Sequence, residues 1–210
     1  ARTVVVLETG GPVLMPWLEK PPAVIQAWYP GQRGGEAIAR ILFGEVNPSA
    51  KLSASFPHFS GQQPYFYNHK NTGRGAPETG AQDYKARYRE TKNEALYPFG
   101  HGLSYTSFAV SNVVVPTRMG DRIEVTATVA NTGTRAGDEV VQLYIHDVVA
   151  SHTRPIRELK GFQRVSLAPG QSKQVRFTLS REDLRFWMDG QWVVEPGTFH
   201  VWVATDSTNG

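Results

Sequence analysis

No cysteine occurs anywhere in the 210 residues. That removes disulfides, thiol catalysis and zinc–thiolate sites together, while leaving the compartment open. Long apolar runs are missing too: no stretch approaches the roughly 20 residues of a membrane-spanning helix. Charge of either sign is modest. The 22 Lys and Arg against 19 Asp and Glu give a net +3, and the basic residues are scattered, so neither a nucleic-acid surface nor a membrane surface is expected. Histidine is sparse: His58, His69, His101, His146, His152 and His200 are dispersed, and no pair has helical ligand spacing, so no metal site is expected. What is present is a globular composition, with 40% apolar and 20% charged residues. The chain is long enough for one large domain or two small ones.

The first segment reads as α/β. Thr3-Val4-Val5-Val6-Leu7 is a continuous aliphatic run closed by Glu8-Thr9-Gly10-Gly11-Pro12. Such a run reads as a strand covered on both faces, as in a parallel sheet. Ala23 to Trp28 reads as its partner, stopped by Tyr29-Pro30-Gly31, with a short helix over Val13 to Glu19 interrupted by Pro16. Ile38, Ile41 and Leu42 then share one face of a helix over 35–43, and Gly44 is placed to stop it. Glu36 suits the first turn of that helix. Two strands do not make a stable open sheet. The expectation is therefore that further strands lie upstream; the alternative is a small two-stranded platform covered by the rest of the chain.

Residues 57–95 are poor in aliphatics. Tyr65-Phe66-Tyr67 stands between Pro57-His58-Phe59-Ser60-Gly61 and Asn68-His69-Lys70-Asn71-Thr72-Gly73-Arg74-Gly75. Rings and amides in a long loop suit sugars, because flat apolar faces meet C–H groups and amides meet hydroxyls. The plainer reading is a surface arm whose tyrosines pack on a neighbouring domain. Glu78, Asp83, Glu90 and Glu94 fall among Lys and Arg and read as solvated or weakly paired.

From Phe108 the period becomes two. Ile123–Val129, Val141–His146, Gln174–Leu179 and Phe199–Val203 alternate, separated by Asn131-Thr132-Gly133, Ala168-Pro169-Gly170, Asp189-Gly190 and Glu195-Pro196-Gly197. This predicts a two-sheet sandwich of the immunoglobulin or fibronectin type III class. Its expected core is Leu143, Phe162, Val165, Leu167, Phe177, Leu184, Trp192 and Trp202. Between the two halves lies Tyr97-Pro98-Phe99-Gly100-His101-Gly102-Leu103-Ser104-Tyr105-Thr106. It reads as an internal seam, bent by Pro98, Gly100 and Gly102, with Tyr97, Phe99, Leu103 and Tyr105 buried against both sides.

These residues resemble glycoside hydrolase family 3. The resemblance rests on Trp28-Tyr29-Pro30-Gly31-Gln32, Gly34 to Ala39, Leu42-Phe43-Gly44, Asn47 to Leu52 and Ser55-Phe56-Pro57. It continues through Tyr97–Thr106, Glu139 to Tyr144, Arg154-Pro155, Glu158 to Phe162, Leu167 to Gly170 and Val175 to Phe177. Ala50 and Ser53 depart from the Gly and Pro of many relatives. The resemblance covers nearly the whole chain and is closest to bacterial β-glucosidases of the three-domain type. It implies that 1–56 end the family's α/β domain, 57–107 form an arm and interdomain linker, and 108–210 form the fibronectin type III-like sandwich.

The resemblance also implies what the segment lacks. Retaining glycosidases need two carboxyl groups flanking the scissile bond. In this family the nucleophile is an Asp of an N-terminal barrel. In this subgroup the acid/base is a Glu on a loop of the second domain, ahead of Thr3. Neither region falls within residues 1–210, so no residue here inherits a catalytic role, and no cofactor is implied. The segment is expected to be inactive alone, serving as structural support and cleft wall beside the barrel and the rest of the α/β domain. The alternative is a non-catalytic carbohydrate- or protein-binding sandwich. Glu8, Trp28, Tyr29, Asn68, His69 and Arg74 are the candidates for contact with a carbohydrate substrate. Glu8 qualifies because ligands gather at the C-terminal ends of parallel strands; its plainer role is a carboxylate held in the strand–loop turn. The 57–95 arm is a candidate homodimer contact, and family resemblance implies a periplasmic or secreted setting.

Overall fold

The computed structural model describes residues 3–75, 85–89 and 91–208. Glu78, Asp83 and Glu90 lie outside the described residues. The α/β part opens with β1 (Val4–Leu7) and β2 (Ala23–Gln26), which pair in parallel with Val4 opposite Ala23. Parallel neighbours usually need a helical crossover. Here the segment expected as a helix over Val13–Glu19 is a pair of successive tight turns, with Leu18 N–H on Met15 O and Lys20 N–H on Trp17 O. Pro12, Pro16, Pro21 and Pro22 leave too short an uninterrupted run for a helix.

The helix α1 (Gly34–Leu42) follows, with Glu36 in its first turn paired to Arg33. Gly44 ends it in the left-handed region at φ +74°, as its position after Leu42-Phe43 predicts. Only part of the apolar face is covered: Ile38 and Ile41 are half-buried, whereas Leu42 and Phe43 are exposed.

The sandwich comprises β3 (Phe108–Val114), β4 (Arg122–Asn131), β5 (Gly137–Asp147), β6 (Glu158–Leu167), β7 (Ser172–Ser180), the hairpin β8 (Phe186–Met188) and β9 (Gln191–Val193), and β10 (Phe199–Ala204). One sheet has the order β10-β5-β6 and the other β3-β4-β7, antiparallel throughout. Val125, Ala127 and Val129 of β4 face Val141, Leu143 and Ile145 of β5, with Val165, Leu167, Phe177, Leu179 and Leu184 completing the core. Asp189 and Gly190 both take positive φ at the β8–β9 turn, the geometry an Asp-Gly hairpin favours.

Three of the expected core residues are placed otherwise. Phe162 is 67% exposed and Trp192 is 57% exposed. On β6 the core-facing residues are Val165 and Leu167, so the period of two turns Phe162 outward, opposite Gln142. Gly161 stands where Phe177 needs room: a Cβ there would lie 3.2 Å from that ring. Trp192 pairs edge-to-face with Trp187 on the outer hairpin. Trp202 is partly buried, but on the outer face of its sheet, stacked on Tyr144.

The linker Tyr97–Thr106 is the seam that its composition predicts. It runs antiparallel to residues 52–56, through Phe56 N–H on Tyr97 O, Gly100 N–H on Leu52 O and Leu52 N–H on His101 O, each 2.8 Å. On the sandwich side Ser207 N–H reaches Phe99 O, and Gln142 Nε2 reaches Gly100 O and Thr205 O. Gly100, at φ +83°, has the Gln142 amide in the space a Cβ would fill, so no other residue fits there. Leu103 and Tyr105 depart from expectation: Leu103 is 77% exposed and Tyr105 is 42% exposed. Gly102 sits directly on Ala50 O, and Ser104 binds Asn47, so these two take the inward positions and the alternation turns 103 and 105 outward. The Tyr105 hydroxyl still donates to Ile41 O, and Arg135 lies over its ring.

One further tie joins the halves and another fixes the linker to the sandwich. Lys51 Nζ lies 2.7 Å from Glu139 Oε1, with the side chains only 12% and 8% exposed. Asn131 uses its whole amide: Nδ2 donates to Arg135 O and Leu167 O, while Oδ1 accepts from Thr106 Oγ1 and Gly133 N–H.

Candidate functional site

The C-terminal ends of β1 and β2 carry the first cluster. Thr9 Oγ1 accepts from Gln26 Nε2 at 3.2 Å and donates to Gly11 O at 2.9 Å, tying the two strand ends together. Gln26 Oε1 is buried with no hydrogen-bond partner. Glu8 is exposed at this edge. The strand β2 ends at Gln26, two residues earlier than the sequence suggests, because Trp28 is in the left-handed region at φ +55°. A bulky residue there is strained. Its ring packs on buried Phe56, with centroids 6.1 Å apart. Tyr29 is 79% exposed, and its ring lies over Gly10, where a Cβ would come within 2.6 Å of the hydroxyl oxygen. Gly10 is thus occupied by Tyr29, while Gly11 has open space above it.

A cavity of about 560 Å³ lies beside this edge, between Pro12, Ser53 to Ser55, Pro57 and the arm. The arm contributes Gln63 to Asn68, and the linker contributes Phe99. Gln63 Nε2 donates to Pro12 O, closing one side, and the Gln63–Pro64 peptide is cis. Burial pushes the Tyr65 phenol above its ordinary value, while nearby Arg157 works against that rise. The group is a neutral hydroxyl at physiological pH, available as donor and acceptor. Tyr67 stacks on Phe99 with centroids 4.2 Å apart at 16°, and meets Tyr144 edge-on.

The candidates predicted from sequence divide into two groups. Glu8, Trp28 and Tyr29 gather at the strand ends. Asn68 lines the cavity, while His69 and Arg74 lie further along the arm and are not among the lining residues. His69 O accepts from Ile156 N–H on the sandwich, and its Nδ1 lies 3.0 Å from Lys70 O. Arg74 O accepts from Ala86 N–H where the arm folds back. Gln26 and Ser55 are not among the sequence candidates, and Phe99 is expected only as a seam residue; Gln26 carries one visible signal, being the polar end of an otherwise apolar strand. Among the described residues no group of three or more His, Asp or Glu is arranged to hold a metal ion. Among them, too, no helix is long and apolar enough to cross a membrane.

Comparison with known proteins gives this geometry its family. Residues 1–105 match the glycosyl hydrolase family 3 C-terminal domain, and residues 139–207 match a fibronectin type III-like domain. The chain is 44% identical over 209 residues to a periplasmic β-glucosidase of Salmonella typhimurium, covering 97% of this chain and 27% of that protein. A β-glucosidase of Bacteroides ovatus is 40% identical, with 98% of this chain and 29% of that protein covered. Among solved structures, the β-glucosidase of Listeria innocua in complex with isofagomine superposes with a TM-score of 0.92 at 40% identity, covering 98% of this chain and 30% of that one. The chain therefore spans little more than a quarter of the length of the curated relatives it matches. With an α/β segment, a linking seam and a sandwich in the same order as these relatives, it belongs to glycosyl hydrolase family 3.

Proposed function

We propose that these residues are the C-terminal part of a retaining β-glucosidase that hydrolyses terminal β-D-glucosyl residues during carbohydrate degradation. The observation that carries this reading is the collinear match of almost the whole chain to β-glucosidases more than three times its length. The nucleophile and the acid/base belong to the remainder of such an enzyme. This segment, divided at 1–56, 57–107 and 108–210, supplies support and one wall of the cleft. Glu8, Trp28 and Tyr29 at the strand ends, Asn68 at the cavity, and His69 and Arg74 further along the arm are its contacts to the sugar side. The exposed Leu42, Phe43 and Val4 are surfaces for the rest of the α/β domain. A periplasmic or secreted setting and a homodimer contact through the 57–95 arm belong to the same reading.

The test is hydrolysis of an aryl β-glucoside. A protein that joins these residues to a family barrel and the upstream α/β strands should hydrolyse it with retention, and Tyr29→Ala should raise KM more than it lowers kcat. The bare 210-residue chain should be inactive. Turnover by the bare chain would give the catalytic role to carboxylates such as Glu8 and overturn the assignment.

A further inference from the structure

The outer face of the β10-β5-β6 sheet holds an open polar cavity of about 390 Å³. None of the candidate sugar contacts lines it. Its polar lining is Arg157, His146, His200, Ser207 and Thr208, with no carboxylate among the lining residues. The strand register brings the two histidines together: His146 of β5 lies directly opposite His200 of β10, with ring centroids 6.0 Å apart. Spacing along the chain hides this pair, because the residues are brought together across strands. His146 turns Nδ1 toward Pro155 O at 3.4 Å, which leaves Nε2 out of that contact.

Arg157 is the centre of the arrangement. One terminal nitrogen donates to Ser207 O, but Nε is buried with no hydrogen-bond partner. A buried guanidinium N–H without an acceptor is costly and calls for an explanation. The adjoining carboxylate, Asp206, has Oδ1 engaged by Thr208 N–H and the Thr208 hydroxyl. A guanidinium flanked by imidazoles and hydroxyls offers N–H and O–H donors converging on one space, the chemistry that recognises carboxylate or phosphate. Trp202, stacked on Tyr144, and Ile156 give the cavity an apolar side.

We propose that this cavity binds a small oxyanion, either the carboxylate of a sugar acid or free phosphate, held by the Arg157 guanidinium with His146 and His200 beside it. The proposal stands whether or not the β-glucosidase reading holds.

The test is a titration of the full-length protein at constant ionic strength, with inorganic phosphate in one series and glucuronate in another. The readout is the imidazole resonances of His146 and His200, assigned with His146→Gln and His200→Gln. Both resonances should shift saturably in the millimolar range. Arg157→Gln should weaken binding about tenfold or more, the scale of one charge-assisted hydrogen bond. Because Arg157 also holds Ser207, His200→Gln is the second variant: it is exposed, and its melting curve should match the parent while binding weakens several-fold. Tighter binding of glucuronate identifies a sugar acid; equal or tighter binding of phosphate identifies the free anion. The proposal is overturned if neither anion shifts the imidazoles, or if both variants bind as the parent does.

Discussion

Phe99→Ala tests whether the linker is the element that holds the two halves together. Phe99 is half-buried, and it starts an aromatic column: it stacks on Tyr67 at 4.2 Å, Tyr67 meets Tyr144 at 6.2 Å, and Tyr144 stacks on Trp202 at 5.7 Å. Truncating a fully buried Phe costs about 3–5 kcal/mol, and half-burial brings that to roughly 1.5–2.5 kcal/mol. Loss of the stacked pair adds about 0.5–1.5 kcal/mol, so about 2–4 kcal/mol is expected. For a chain of this size each kcal/mol is worth about 2–4 °C, which puts the fall in Tm at about 4–16 °C. The backbone bonds of residue 99, to Ser55 Oγ and from Ser207 N–H, survive the substitution, so the loss isolates the ring. Thermal melting gives the magnitude, and limited proteolysis should show faster cleavage in the arm as Tyr67 loses its partner. A Tm within about 1 °C of the parent would refute the reasoning, because a ring in that column cannot be removed so cheaply.

Lys51→Met should destabilise by about 3–5 kcal/mol, since it strands Glu139 in a nearly buried seam, and adding Glu139→Gln should recover most of that loss in a denaturant titration. His101 gives a pH dependence. Burial lowers its pKa, with Lys51 reinforcing this and Asp206 opposing it, so the unfolded chain takes up the proton first and stability falls as pH drops through about 6.5. His101→Gln should flatten the melting temperature between about pH 8 and about pH 5. Glu158 acts lower in the scale. Burial works to raise its pKa, but hydrogen bonds and charge from Arg154 and Lys160 outweigh it, so its contribution is present above the ordinary carboxylate value and is lost as pH falls below it. Acid unfolding of Glu158→Gln should accordingly be shallower. Finally, Phe162→Ser should change stability by no more than about 0.5 kcal/mol, whereas Phe177→Ala should cost about 3–5 kcal/mol; equal costs would put Phe162 back in the core.

Period and punctuation carried most of the fold. The alternation over Ile123–Val129 and Val141–His146 reappears as β4 and β5, each a few residues longer at the ends, where pairing continues past the apolar pattern. Gly44 and Asp189-Gly190 stop and turn the chain where their backbone freedom predicts. Three departures share an origin in parity. Phe162 and Trp202 are large and apolar, but they stand on the outward positions of their strands, and size weighed more than register in assigning them to the core. Leu103 repeats the error in the linker, where Gly102 and Ser104 hold the inward positions.

The candidate site was legible to a smaller extent because its members meet through tertiary contacts. Glu8 and Tyr29 could be placed at strand ends from local pattern alone. The Thr9–Gln26 tie, the packing of Tyr29 on Gly10 and the wall built from the arm depend on a parallel pairing and on the docking of a long loop. The same holds for His146 and His200, which chain spacing separates and strand register unites. The same docking covers part of the outer face of the sheet, although Phe162 and His200 stay exposed there. Gln142 and Tyr144 occupy outward positions, yet both are buried, because the linker and arm lie across them. A sandwich standing alone would leave that face to solvent. In this chain the part under the linker is a second interior, aromatic there and lined with donors beyond Trp202, and that chemical change along one sheet face is what separates the structural seam from the proposed oxyanion cavity.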